Sequence, residues 1–260
     1  MRKLYLGTNT KMFKTASETV SYLRELDRYT ADLSRDELEL FVIPSYTALK
    51  DARDCVPAER VTIGAQNMCW EERGQFTGEI SPLMLSEAGV EIVEIGHSER
   101  RHTFHETDEE ENRKVLCALR HGFRVLLCIG ETGEEKAYGI ADEVLRIQLK
   151  KGLYLMPEDR LNNLMIAYEP VWAIGVEGIP AAPDYVQRAH GTIRQTLCEL
   201  FGDQGARIPI LYGGSVNESN CESLIALDDV DGLFIGRSAW EASRFNRLIR
   251  KALSKCASHE

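Results

Sequence analysis

Six short clusters carry the residue types that could do chemistry. They are Asn9-Thr10-Lys11, Gly96-His97-Ser98-Glu99, Cys128-Ile129-Gly130-Glu131, Tyr168-Glu169-Pro170, Tyr212-Gly213-Gly214-Ser215 and Gly236-Arg237-Ser238. Glu169 is the hardest to read as structural. It lies between the apolar runs LMIAY and PVWAIG, where a carboxylate is expensive to bury without a task. Alone, Lys11 reads as a solvated loop cation, His97 as a satisfied loop histidine and Gly213-Gly214 as a tight turn. Together they suit proton transfer beside a carbonyl. A carboxylate takes a proton from carbon, with a pKa that partial burial brings toward working pH. A neutral imidazole polarises the carbonyl, and a lysine stabilises the enediolate. Glycine-bearing loops let backbone N–H groups approach a phosphate.

Each cluster follows a short apolar or β-branched run. LYLGT from Leu4, LELFVIP from Leu38, VTIGAQ from Val61, VEIVEIG from Val90, RVLLCIG from Arg124, NLMIAYEP from Asn163, IPILYGG from Ile208 and DGLFIG from Asp231 read as strands. Amphipathic stretches between them read as helices: Ser17–Ala31, a short one after Ser45, one around Pro82–Ala88, Asp108–His121, Glu134–Lys151, Pro183–Phe201, one after Asn217, and Glu241–Ser254. Pro183 suits a first helical turn. Strands alternating with helices imply parallel pairing, and eight such units in 260 residues predict a single-domain (β/α)8 barrel of the α/β class, one helix after each strand. In such a barrel active sites lie at the C-terminal strand ends, where these clusters fall, and phosphates are held after strands 7 and 8.

Composition narrows the classes. A formal net charge of −10 disfavours non-specific binding to nucleic acid or anionic membrane and requires local positive features for an anionic substrate. No run approaches the ~20 apolar residues of a membrane span, and no apolar leader follows the first cations. The seven cysteines lack metal-ligand spacing and read as reduced thiols of a cytoplasmic protein. His102 and His105 in HTFHE lack a third ligand at a telling spacing, so no metal is expected.

The motifs GTNTKM, GAQN, FTGEIS, EIGHSERR, CIGET, AYEPVWAIG, YGGSV and GLFIG resemble those of the triosephosphate isomerase family, along essentially the whole chain. AYEPVWAIG and GHSERR are the most specific. The resemblance implies a TIM-barrel aldose–ketose isomerase without a cofactor. It casts Glu169 as base, His97 as electrophile, Asn9 and Lys11 as substrate contacts, and Glu99 as the carboxylate beside Lys11. Gly175 becomes the lid glycine whose N–H reaches the phosphate. Ser215 and Gly236-Arg237 mark the phosphate loops, with Gly213 and Gly214 beside them, and Tyr212 with Ser215 resembles a latch for the closed lid. The Gln66–Glu79 segment, with Thr77 near its tip, looks like a loop that enters a partner subunit, implying a homodimer.

Three departures bear on substrate. The family usually has two glycines after strand 8, where this chain has Gly236-Arg237; the guanidinium either enters and binds anion or faces solvent, and crowding of a small substrate favours outward. The lid AIGVEGIPA places Glu177 where the family usually has a Thr-Gly-Lys tip. Thr10 and Phe13 replace the usual aromatic and asparagine beside the lysine. With Asn9, Lys11, His97 and Glu169 intact, the resemblance implies D-glyceraldehyde 3-phosphate and dihydroxyacetone phosphate as the default substrates, in glycolysis and gluconeogenesis. The alternative is a four-carbon ketose phosphate pair, L-erythrulose 1-phosphate and D-erythrulose 4-phosphate, in erythritol catabolism. A non-catalytic phosphosugar-binding barrel is the remote third.

Overall fold

The computed structural model describes residues 3–175 and 178–257. In chain order the strands are β1 (Leu4–Asn9), β2 (Leu38–Ile43), β3 (Thr62–Ala65), β4 (Ile92–Ile95), β5 (Arg124–Ile129), β6 (Leu164–Tyr168), β7 (Ile210–Tyr212) and β8 (Gly232–Phe234). All are parallel to their neighbours, and β8 closes onto β1 through Tyr5↔Gly232 and Gly7↔Phe234. The expected (β/α)8 barrel is therefore the fold.

The helices are α1 (Ala16–Tyr29), α2 (Leu49–Cys55), α3 (Pro82–Glu87), α4 (Ser98–His102), α5 (Asp108–Arg120), α6 (Gly133–Ala137), α7 (Ala141–Gly152), α8 (Pro183–Phe201), α9 (Cys221–Ile225) and α10 (Ala242–Ala257). One helix per strand was expected; two connections instead hold two. After β4 the one-turn α4 precedes α5, and the expected Glu134–Lys151 helix is broken into α6 and α7. Gly139 supplies the break with φ +74, a left-handed backbone that side chains disfavour. α1, α5 and α6 each begin with a threonine in a reciprocal capping box, with Glu18, Glu110 and Glu135 as partners.

Alternation along the strands divides the core in two. One set of side chains packs under the helices. The other fills the barrel: Phe41, Ile43, Ile92, Leu126, Cys128, Met165, Ala167, Leu211 and Phe234. Phe41 and Phe234 stack across it at 5.8 Å. Gly7 makes room for them, because a Cβ there would sit 2.0 Å from the Phe41 ring. This plug forms the floor on which the residues at the strand ends stand.

Candidate active site

A cavity of about 250 Å³ opens at the C-terminal ends of the strands. Of the twelve residues expected at the site, eleven line it: Asn9, Lys11, His97, Glu99, Glu169, Gly175, Gly213, Gly214, Ser215, Gly236 and Arg237. Tyr212 does not. It is fully buried, its ring packed with Tyr168 and His190 below the mouth.

Lys11 and Asn9 form one unit. Lys11 takes φ +51, a left-handed conformation that costs a non-glycine residue roughly 1–2 kcal/mol. Its backbone N–H donates to Asn9 Oδ1 at 2.6 Å, and its carbonyl accepts from Gln66 Nε2 at 2.8 Å. The Asn9 carbonyl accepts from Trp240 Nε1 at 2.9 Å. Three bonds thus hold the turn that turns the lysine toward the cavity. Its Nζ meets Glu99 Oε1 at 2.7 Å. Burial pushes the Glu99 carboxyl up, but Lys11 and His97 outweigh it and hold the group below the usual carboxylate range.

His97 caps α4. Its Nδ1 accepts the Glu99 backbone N–H at 3.1 Å, which fixes the tautomer: the neutral ring carries its proton on Nε2. Nε2 lies 3.8 Å from Glu169 Oε2. Glu169 is 4% exposed, and its Oε2 has no hydrogen-bond partner among the described residues. A carboxylate oxygen with no competing donor, facing an imidazole N–H across a cavity, can take a proton from carbon while the ring holds the neighbouring oxygen.

The paired glycines leave room for the base and for Tyr212. A Cβ on Gly213 would lie 2.7 Å from Glu169 Cγ, and one on Gly214 would lie 2.2 Å from the Tyr212 hydroxyl. Gly130 is equally constrained, with the Glu169 carbonyl 2.0 Å from an added Cβ. Gly236 and Gly175 are different, with nothing among the described residues within 4 Å of a Cβ, although Gly175 needs its φ of +88.

Arg237 does not enter the floor; it is exposed at the rim, the outward direction that crowding had favoured. It spans the rim, Nη2 donating to the Gly175 carbonyl at 2.8 Å. That bond removes the crowding, because the guanidinium is parked on the lid's first residues. Phe13 packs on Trp240 at 4.5 Å and lines the cavity beside it, and Thr10 is buried. Val176 and Glu177, and with them the expected negative charge on the lid, lie outside the described residues.

Two buried carboxyls were missed as site residues. Glu131 accepts from Trp172 Nε1 and the Tyr185 hydroxyl, each at 2.7 Å, and from the Tyr168 hydroxyl at 3.0 Å. It anchors the start of the lid, and Lys136 sits 3.2 Å over the Trp172 ring. Glu94, on β4, is 0% exposed below Asn9. The available signal was a charge within VEIVEIG, a run whose parallel pairing implies burial on both faces.

The triosephosphate isomerase family matches residues 4–252. The chain is also similar to a Rhizobium etli protein named L-erythrulose-1-phosphate isomerase, 48% identical over 250 residues, 95% of this chain and 92% of the other. Proteins of the same name from Rhizobium meliloti and Brucella abortus are 44% and 43% identical, covering 95% and 98% of this chain and 96% and 98% of theirs. A match spanning the barrel from β1 into α10, together with relatives this similar at full length, makes this chain a member of the triosephosphate isomerase family and an isomerase of the aldose–ketose type.

Proposed function

We propose that the chain interconverts L-erythrulose 1-phosphate and D-erythrulose 4-phosphate, in place of the triose phosphates expected by default. The observation that carries this is the 43–48% identity, over nearly the whole chain, to proteins named for the first of these compounds. The rim supports it, since Arg237 stands where a triose site needs only glycine.

The chemistry is one carbonyl moving between adjacent carbons. In the 1-phosphate the carbonyl is at C2 and the transferable hydrogen at C3. Glu169, through its free Oε2, takes that proton. His97 donates Nε2–H to the C2 oxygen and takes the C3 hydroxyl proton in its place, which restores the neutral ring, while Lys11 offsets the charge of the enediolate. Return of the proton to C2 leaves the carbonyl at C3, which renumbers as the 4-phosphate. A triose does the same with a hydrogen where the tetrulose bears a CH2OH, so one catalytic set serves both. Asn9 holds the substrate, and Glu99 keeps Lys11 in place. Gly175, Ser215, Gly236 and Arg237 receive the phosphate and the lid.

The reading also includes a cytoplasmic homodimer. The Gln66–Glu79 loop projects an exposed run from Glu71 to Glu79, and Gln66 at its base holds the Lys11 carbonyl. Sedimentation at micromolar protein is expected to give twice the 29.3 kDa chain mass; a monomer would remove this part.

The deciding measurement is kcat/KM on L-erythrulose 1-phosphate and on glyceraldehyde 3-phosphate with one preparation. The tetrulose is expected to be preferred by several decades. A triose value near the diffusional ceiling of about 10⁸ M⁻¹s⁻¹ would overturn the assignment.

A further inference from the structure

Glu94 has no part in the reaction just described, yet it is a fully buried carboxyl beside it. On β4 it shares the inward face with Ile92, above the apolar plug. Its contacts are few. Asn9 Nδ2 donates to Oε2 at 2.6 Å, and Cys128 Sγ lies 3.6 Å from Oε1. One oxygen each of Glu94 and Glu169 and the Cys128 sulfur all lie within 4.8 Å of one another. Lys11, the cation on this side, is bonded to Glu99 instead.

The orientation of the Asn9 amide is determined. The Lys11 backbone N–H can only donate, so the atom 2.6 Å from it is Oδ1, and Nδ2 faces Glu94. The bonds therefore run in a line, from Glu94 to the Asn9 side chain to the Lys11 backbone at φ +51.

We propose that Glu94 is the positioning residue for Lys11, acting through the Asn9 amide. This rests on the reading of Lys11 and Glu169 as reacting groups. Without an acceptor at Glu94, the nearly buried Nδ2 of Asn9 is an unpaired donor. The amide is then free to rotate, and the left-handed turn loses the bond that offsets its strain.

The line works with Glu94 as the neutral acid. Burial pushes its carboxyl well above the usual range, and the Glu169 charge adds to this, with Glu99 further off. Lys11 and the Cys128 thiol act in the opposite sense. Tyr46, after β2, also feels Glu94 and is itself raised, chiefly by burial. Two carboxylates this close do not both ionise in so dry a site. With Glu94 protonated, one oxygen accepts from Asn9 and the other from the Cys128 thiol, and no second negative charge meets the forming enediolate. A glutamine keeps the neutral acceptor for Asn9; a leucine does not.

The test uses Glu94→Gln and Glu94→Leu, with kcat and KM on the preferred substrate and an infrared difference spectrum of wild type minus Glu94→Gln at neutral pH. Glu94→Leu is expected to lose roughly ten- to a hundredfold, mainly in kcat, as a misplaced catalytic group does. Glu94→Gln should stay within about threefold of wild type, a loss far smaller than that of a misplaced group. The difference spectrum should contain the carbonyl stretch of a protonated carboxylic acid. A glutamine variant as poor as a leucine variant, a folded leucine variant with wild-type kcat, or a spectrum of carboxylate bands alone overturns the proposal. If the leucine variant does not fold, the glutamine rate and the infrared band decide. Glu169→Gln measured alongside separates the two readings: an active Glu169→Gln removes the base assignment while leaving the infrared band unchanged.

Discussion

The two walls of the cavity are built on opposite plans. The wall from β1, β4 and β6 is made of long side chains, and those of β1 and β4 have fixed partners: Lys11 on Glu99, His97 on the Glu99 backbone, Asn9 on Glu94. The wall from the loops after β6, β7 and β8 is made largely of glycine. Even there the plan divides. Gly213 and Gly214, next to the base, have no room for a Cβ, whereas Gly175 and Gly236 at the rim have open space. Arg237 stands in that open part. The comparison teaches where a change of substrate is tolerated: at the rim, where a new side chain displaces nothing, and not on the opposite wall, where Lys11, His97 and Asn9 are each tied to a neighbour.

The comparison breaks most readily at the base. Glu169→Gln should lower kcat by roughly 10²–10⁴-fold, the usual contribution of a general base, with an unchanged circular dichroism spectrum. A variant that keeps half the wild-type rate would mean that the reacting wall is misassigned. Next in size is the rim. Arg237→Gly removes a charged donor from Gly175 and should raise KM for the tetrulose phosphate about tenfold, in line with a hydrogen bond of about 1.5 kcal/mol, with kcat changed less. Equal losses in kcat and kcat/KM would instead place Arg237 with the reacting groups.

The smallest effect lies behind the glycine wall, and it is one of stability. His190 packs on Tyr168 and Tyr212 and bonds through Nδ1 to the Asp229 carbonyl at 2.8 Å. Burial holds its pKa down to about 4, against the Asp229 bond, which acts upward. Between that value and the ordinary imidazole pKa near 6.5, the unfolded chain binds a proton that the folded chain does not. Stability therefore rises with pH through this window and is lost on acidification, by up to about 3 kcal/mol. In His190→Asn the urea midpoint should change less between about pH 4.5 and pH 7 than in wild type. An identical pH dependence in the two would show that His190 does not titrate on unfolding.

The alternation of apolar runs and amphipathic stretches was enough for eight parallel strands, because each signal is local and each strand has its own register of buried positions. The candidate site residues were legible for the same reason: Glu169, His97 and Lys11 each lie within two residues of a strand end, and the barrel sends every strand end to one mouth. The breaks at α4/α5 and α6/α7 were less visible, since Gly139 within an otherwise helical pattern is only a weak signal. The proposed substrate rests on comparison with relatives, because a CH2OH group leaves no mark on the catalytic set.

By itself the sequence determined the strand order, the acid, imidazole and ammonium at the strand ends, and the departures at Arg237, Thr10 and Phe13. Only the tertiary structure decided that Arg237 reaches the Gly175 carbonyl, 62 positions away, and that Gly213 and Gly214 make room for Glu169 and Tyr212. It also decided that Glu94 lies under Asn9, 85 positions away. The physical reason is range. Strand and helix preferences are set within a few residues, whereas a buried hydrogen bond or a missing Cβ takes its meaning from an atom on another strand, and closure of the barrel is what brings that atom near.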